Sequence, residues 1–206
     1  MECLIASALW ISWCALHSAM ISITARDFLK SRLGHAFRFY RLFYNVVSIL
    51  TLVPVYFYSN AVESRPLWHW EGSLVAVPYV LLAIGALLFI AGARQYDGLQ
   101  FLGIRQIRED ETSISLDSGG RLNIAGIHRM IRHPWYTGGI IVVWARDMTE
   151  LDLIVNLILT GYFIIGAYLE ERKLIREFGD QYRRYQDEVS MFLPVRWLIA
   201  LLQGRH

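Results

Sequence analysis

The chain has 206 residues, 55% of them hydrophobic and 18% charged, with a formal net charge of +2. A soluble domain carries about 25% charged residues, and so small a net charge does not point to nucleic acid as a partner. With a mean hydropathy of +0.35 and its apolar residues gathered in long uncharged runs, the sequence predicts one membrane-embedded domain over residues 1–206.

Leu4–Ile23 carries no formal charge and is long enough to cross a hydrocarbon core of ~30 Å. It lacks a basic flank and a small-x-small cleavage site ahead of Arg26, so it is expected to be a retained first helix. Cys3 and Cys14 in this region would be roughly 16 Å apart on a helix, beyond the ~7 Å limit for a disulfide, and read as packing residues. His17 lies well inside the same helix. An ionisable residue there either lines a substrate pocket, where it can take a proton, or is a neutral imidazole bonded to another helix. Leu42–Asn60 is a second span, on which Tyr44 and Asn45 pose the same question, and Gly72–Ala93 is a third. Trp135–Ala145 is uncharged but too short to span alone. The polar turn "RDMTELD" joins it to Leu153–Leu169, and the two read as a helical hairpin. The prediction is an all-α integral membrane protein with five transmembrane helices, the fourth short, and a further helix near the C-terminus.

The loops alternate in charge. Arg26, Lys30, Arg32, Arg38 and Arg41 separate the first two spans, and Arg94, Arg105, Arg108, Arg121, Arg129 and Arg132 precede the short helix. Arginines are again dense after Leu169, whereas the other two loops carry few. The positive-inside rule then places the N-terminus outside and the C-terminus in the cytoplasm. "RHPWY" (Arg132–Tyr136) and "LEERKL" (Leu169–Leu174) fall on the same cytoplasmic side, where they can form one site.

Pro134 is suited to the first position of a helix. The unpaired N–H groups behind it, with Arg132 and His133 just ahead, favour an anion. Trp135 and Tyr136 offer aromatic faces to a base ring or a cation. Glu170 and Glu171 point about 100° apart on a helix, so one can face the protein interior while the other faces water. The bland alternative is that these charges are ordinary membrane anchors paired among themselves. Taken together they suit a ligand with a negative group, a positive group and an aromatic part, as in S-adenosylmethionine. "SISL" and "RLNI" around "DSGG" read as a short strap able to contact a nucleoside. No G-x-G-x-x-G is present, and no H-x-x-x-H or cysteine cluster that would hold a metal.

In this order, "AGIHRMIRHPWYTG", "EERKL", "FGDQYRRY" and "FLP" resemble the integral-membrane methyltransferases of the isoprenylcysteine carboxyl methyltransferase type and the related phospholipid methyltransferases. The resemblance covers residues 94–194, and the segment 95–194 is the expected cofactor-binding half. It implies S-adenosylmethionine as cofactor, contacted by Gly120, Arg121, Leu122, Asn123, His128, His133, Pro134, Trp135, Tyr136, Glu170 and Glu171. Ile127 and His128 stand where the family has proline and tyrosine, and "FIIGAYLEE" lacks the family's substrate-binding arginine. The N-terminal half, with "WCALHS" and "FRFYRLFYN", resembles nurim-like and thiol-methylating bacterial proteins. The acceptor implied is a small lipophilic thiol, carboxylate or amine taken from the bilayer, with His133, Glu170 or His17 available to remove its proton. Two other readings stay open: an NADPH-dependent reductase of the sterol type, and a non-catalytic nurim-like membrane protein. The sequence says nothing of oligomeric state.

Overall fold

The computed structural model describes residues 1–94, 98–108, 122 and 124–204. Its elements run α1 (Glu2–Ile21), α2 (Ile23–Leu33), α3 (Tyr40–Ala61), β1 (Pro66–Trp68), α4 (Val77–Ala93), α5 (Gly98–Leu102), α6 (Ile104–Arg108), α7 (Pro134–Trp144), β2 (Met148–Thr149), α8 (Glu150–Phe178), α9 (Asp180–Glu188) and α10 (Val195–Leu202). Among the described residues, four stretches are long and apolar enough to cross a membrane: Glu2–Ile21, Ile23–Ala61, Gly72–Ala93 and Glu150–Phe178. Large apolar side chains such as Leu50, Phe57 and Leu87 lie mostly exposed on them, an arrangement that water penalises and lipid does not. The chain is a multi-pass integral membrane protein. The short α7 has 11 residues, about 16 Å at 1.5 Å per residue, roughly half of the hydrocarbon core.

Two compact units divide the chain. The first gathers α1, α2, α3, α5, α6, the β1–β2 pair and residues 150–159 of α8. Ala6 and Trp10 of α1 bury against Val55 of α3 and Leu151 and Val155 of α8. Trp10 Nε1 donates to Ser59 Oγ at 2.8 Å and Trp13 Nε1 to the Ser48 carbonyl at 3.1 Å, so the indoles that fill this core leave no donor stranded in an apolar setting. The region between the first two spans, legible only as a basic loop, is largely helical. Ser22 breaks α1 with an extended backbone and its Oγ accepts from Ala25 N–H, which caps α2. Gly34, at φ 51°, ends it.

The turn expected at "RDMTELD" contains β2, which pairs antiparallel with β1. Thr149 and Asp152 then cap α8 reciprocally: Asp152 Oδ2 accepts from Thr149 N–H at 3.0 Å and from its hydroxyl at 2.8 Å, while Thr149 Oγ1 accepts from Asp152 N–H at 3.2 Å.

The second unit gathers α4, α7, residues 160–178 of α8, α9 and α10. Here α7 packs along α4 through glycines. A Cβ on Gly138 would come within 3.2 Å of the Gly85 carbonyl oxygen, and a Cβ on Gly92 would strike the Trp135 indole. Small residues at such a seam let backbones approach, which is how helices associate without a hydrophobic driving force between them. Gly179, at φ 53°, closes α8, and its N–H donates to the Ile175 carbonyl at 2.9 Å. The chain turns there into α9, whose Tyr182 and Tyr185 bury against Leu174, Ile175, Phe178, Leu122 and Ile124. "FGDQYRRY" is thus a helix stop followed by a tyrosine pair that anchors the next helix.

Candidate active site at the start of α7

Gly126, at φ 55°, turns the chain into a single 3-10 turn over Gly126–Arg129, and α7 opens at Pro134 with His133 as its N-cap, as the sequence predicts. The segment after α9 clasps this entry. Arg132 N–H donates to the Ser190 carbonyl at 2.9 Å and His133 N–H to the Met191 carbonyl at 3.1 Å. Thr137 Oγ1 lies 3.0 Å from the Phe192 carbonyl oxygen. The backbone of the RHP stretch is therefore fixed before any side chain acts.

The side chains form one buried cluster. Arg132 Nε donates to Glu171 Oε1 at 2.6 Å, and its Nη1 to the carbonyls of Gln186, at 3.1 Å, and Val189. His133 Nε2 lies 3.1 Å from the same Glu171 Oε1, and Gln186 Nε2 donates to Glu171 Oε2 at 2.6 Å. The Arg132 and Glu171 side chains are 9% and 6% exposed. A carboxylate so far out of water is tolerated only when paired and hydrogen-bonded, and Glu171 has donors on both oxygens. An ionised carboxylate accepts only, so the His133 nitrogen facing it carries hydrogen. Glu170 differs: its side chain is 36% exposed, and its Oε2 lies 3.9 Å from His133 Nδ1. His133 thus stands between the two glutamates. Arg132 and His133 occupy the place expected for an anion site, yet both turn toward Glu171.

Among the aromatics, the Tyr136 ring meets His133 edge-on at 5.4 Å and Phe163 at 6.2 Å. Trp135 sits against Gly92, and its Nε1 donates to the Phe89 carbonyl at 3.1 Å, so it packs α7 on α4. His128 is buried, its carbonyl accepts from Tyr185 Oη at 2.7 Å, and burial pushes its imidazole below its ordinary pKa. Leu122 packs on the tyrosine pair. Gly120, Arg121 and Asn123 lie outside the described residues, as does most of the expected strap.

His17 belongs to the first unit. Its Nδ1 is 3.1 Å from Ser48 Oγ, its Nε2 meets Tyr44 Oη, and its ring stacks on Trp13 at 5.1 Å. It is bonded to another helix, α3, by two hydroxyls. Asn45 Nδ2 reaches the carbonyls of Phe101 and Leu102 at 3.3 and 3.2 Å. Reading the motifs alone missed Gln186 and the carbonyls of the clasp. Gln186 follows the tyrosine pair at helical spacing (182, 185, 186), so one more turn of the same periodicity would have put it on the face of α9 that meets α8.

The family described as NnrU protein matches residues 4–202, taking in both "RHPWY" and "LEERKL". The chain belongs to this family. Similar proteins include the methanethiol S-methyltransferase of Pseudomonas deceptionensis, 30% identical over 156 residues, which is 75% of this chain and 59% of that one. Methanethiol S-methyltransferase 1 of Bradyrhizobium diazoefficiens is 32% identical over 138 residues, 64% of this chain and 48% of its own. A Mycobacterium tuberculosis protein of the same name is 42% identical over 69 residues, 33% of this chain and 28% of its own. The chain therefore spans about half the length, or less, of these curated relatives. No solved structure matches it. An NnrU family member with relatives named as methyltransferases agrees with the resemblance carried by the motifs.

Proposed function

We propose that this chain is an S-adenosylmethionine-dependent membrane methyltransferase acting on a small thiol at the cytoplasmic face. The observation that carries the reading is the Arg132–Glu171–His133 cluster, built from the two motifs of the resemblance; three similar proteins that carry the name methanethiol S-methyltransferase support methyl transfer to a small thiol as the reaction.

The donor set suits the amino-acid end of S-adenosylmethionine. Glu171 and Arg132 neutralise one another, which leaves Glu170 as the carboxylate with exposed area beside His133. Glu170 would take the ligand's positive end, the first turn of α7 its carboxylate, and Tyr136, Leu122 and the strap residues Gly120, Arg121 and Asn123 its nucleoside side. When bound, the cofactor supplies an electrophilic methyl group on sulfonium. The protein's part is to hold the acceptor sulfur in line with that carbon and keep water out. A thiol must also lose its proton. His133 is a candidate within the cluster, since donation of its Nε2–H to Glu171 leaves the Nδ1 lone pair able to accept that proton. The missing substrate arginine in "FIIGAYLEE" agrees with an acceptor that has no carboxylate to bind.

The test is to supply purified protein with S-adenosylmethionine and methanethiol and to measure dimethyl sulfide in the headspace. The expected product appears only with both reactants. No dimethyl sulfide from protein that consumes NADPH would overturn the reading in favour of a reductase.

A further inference from the structure

We propose that Gln186 is a positioning residue of this site: it fixes the Glu171 carboxylate so that one oxygen serves both Arg132 and His133, and His133 keeps its Nδ1 edge toward Glu170. The inference rests on the functional reading above, in which the Glu170–His133 edge receives the cofactor.

Three observations converge on it. Gln186 Nε2 donates to Glu171 Oε2 at 2.6 Å, the oxygen that neither Arg132 nor His133 uses. Without that donor, Oε2 would be a buried acceptor with nothing to accept, and the carboxylate would gain by rotating to share its oxygens between the guanidinium and the imidazole. That rotation would move His133, whose Nε2 follows Oε1. Next, the Gln186 backbone is itself pinned, because its carbonyl accepts from Arg132 Nη1 at 3.1 Å and from Arg196 Nη1 at 2.6 Å. The amide therefore approaches Glu171 from a fixed point. Finally, Tyr182 and Tyr185, one turn and one residue earlier on α9, are buried and hold the helix in the phase that aims Gln186 at α8. The chemistry of the residue matters too. Arg132 already balances the charge of Glu171, so a second cation would leave a buried excess, whereas a neutral amide supplies a donor and no charge.

The experiment compares the parent with Gln186→Leu and Gln186→Glu in S-adenosylmethionine affinity by calorimetry, from pH 5.5 to pH 8, with thermal unfolding of each. Losing a hydrogen bond to a charged group should weaken binding by about tenfold in Gln186→Leu at every pH. Gln186→Glu sets two carboxyls within hydrogen-bond distance, where they cannot both ionise freely. Its binding should be weakest at pH 8 and recover on acidification, when one proton can be shared. A purely structural role would lower the unfolding temperature without that pH-dependent recovery. If Gln186→Leu does not fold, Gln186→Asn takes its place, retracting the amide by one methylene. Variants that bind with the parent's affinity and pH profile would overturn the positioning role alone. A parent that binds no S-adenosylmethionine would overturn the functional reading, and this inference with it.

Discussion

Arg132 and Glu171, 39 residues apart in sequence, meet Nε to Oε1 at 2.6 Å with both side chains nearly buried. This pair joins the start of α7 to α8, and Arg132 also ties both to the segment after α9 through the Gln186 and Val189 carbonyls. Removing one member of a buried pair strands the other charge, at a cost of about 3–5 kcal/mol. Arg132→Met and Glu171→Met should each lower the unfolding temperature of the detergent-solubilised protein sharply. The double variant should lose clearly less than the sum of the two. Additive losses would mean that the two side chains do not interact.

A second expectation concerns the seam between α4 and α7. Gly92→Ala would push a methyl group into the Trp135 indole and displace its bond to the Phe89 carbonyl. Overpacking of this kind costs about 1–3 kcal/mol. Trp135→Val in the same chain should restore part of the loss, measured by thermal unfolding, because the smaller side chain vacates the space.

Acid should act through His128. Burial lowers its folded pKa below the ordinary value, so the folded state resists protonation. Its contribution to stability is then present above the unfolded pKa of about 6.5 and is lost as pH falls through and below it. The unfolding temperature should drop between pH 7.5 and pH 5.5, and the drop should be smaller in His128→Phe. An unchanged slope in that variant would place the acid sensitivity elsewhere.

Much of this was legible in the sequence because it is local. The long apolar runs and Pro134 opening α7 are each set by a few neighbouring residues. What was not legible depends on partners. Helical geometry separates Glu170 from Glu171 but cannot give the phase of α8; only the approach of Arg132, His133 and Gln186 makes Glu171 the buried one. Strands as short as β1 and β2 carry no alternation to detect. The basic stretch after Ser22 lacks an apolar stripe, so its helix α2 rests on the Ser22 cap and the Gly34 stop. Thr149-x-x-Asp152 was a readable capping signal, hidden inside what looked only like a polar turn.

The arginine alternation in the loops makes a separate expectation about orientation. A reporter fused after His206 should be cytoplasmic and one fused at Ser64 external. Both on one side would end the proposed topology and with it the cytoplasmic site.

The most direct measurement is the calorimetric affinity of purified protein for S-adenosylmethionine, in the parent and in Glu170→Gln and Glu171→Gln. The parent should bind S-adenosylmethionine and not NADPH. Glu170→Gln should fold like the parent and bind about tenfold to a hundredfold more weakly, as expected for the loss of one charge-assisted contact. Glu171→Gln should first lose stability, since its partners are Arg132, His133 and Gln186. Binding of NADPH without S-adenosylmethionine, or a Glu170→Gln protein with undiminished affinity, would contradict the assignment of Glu170 and His133 as the edge that receives the cofactor.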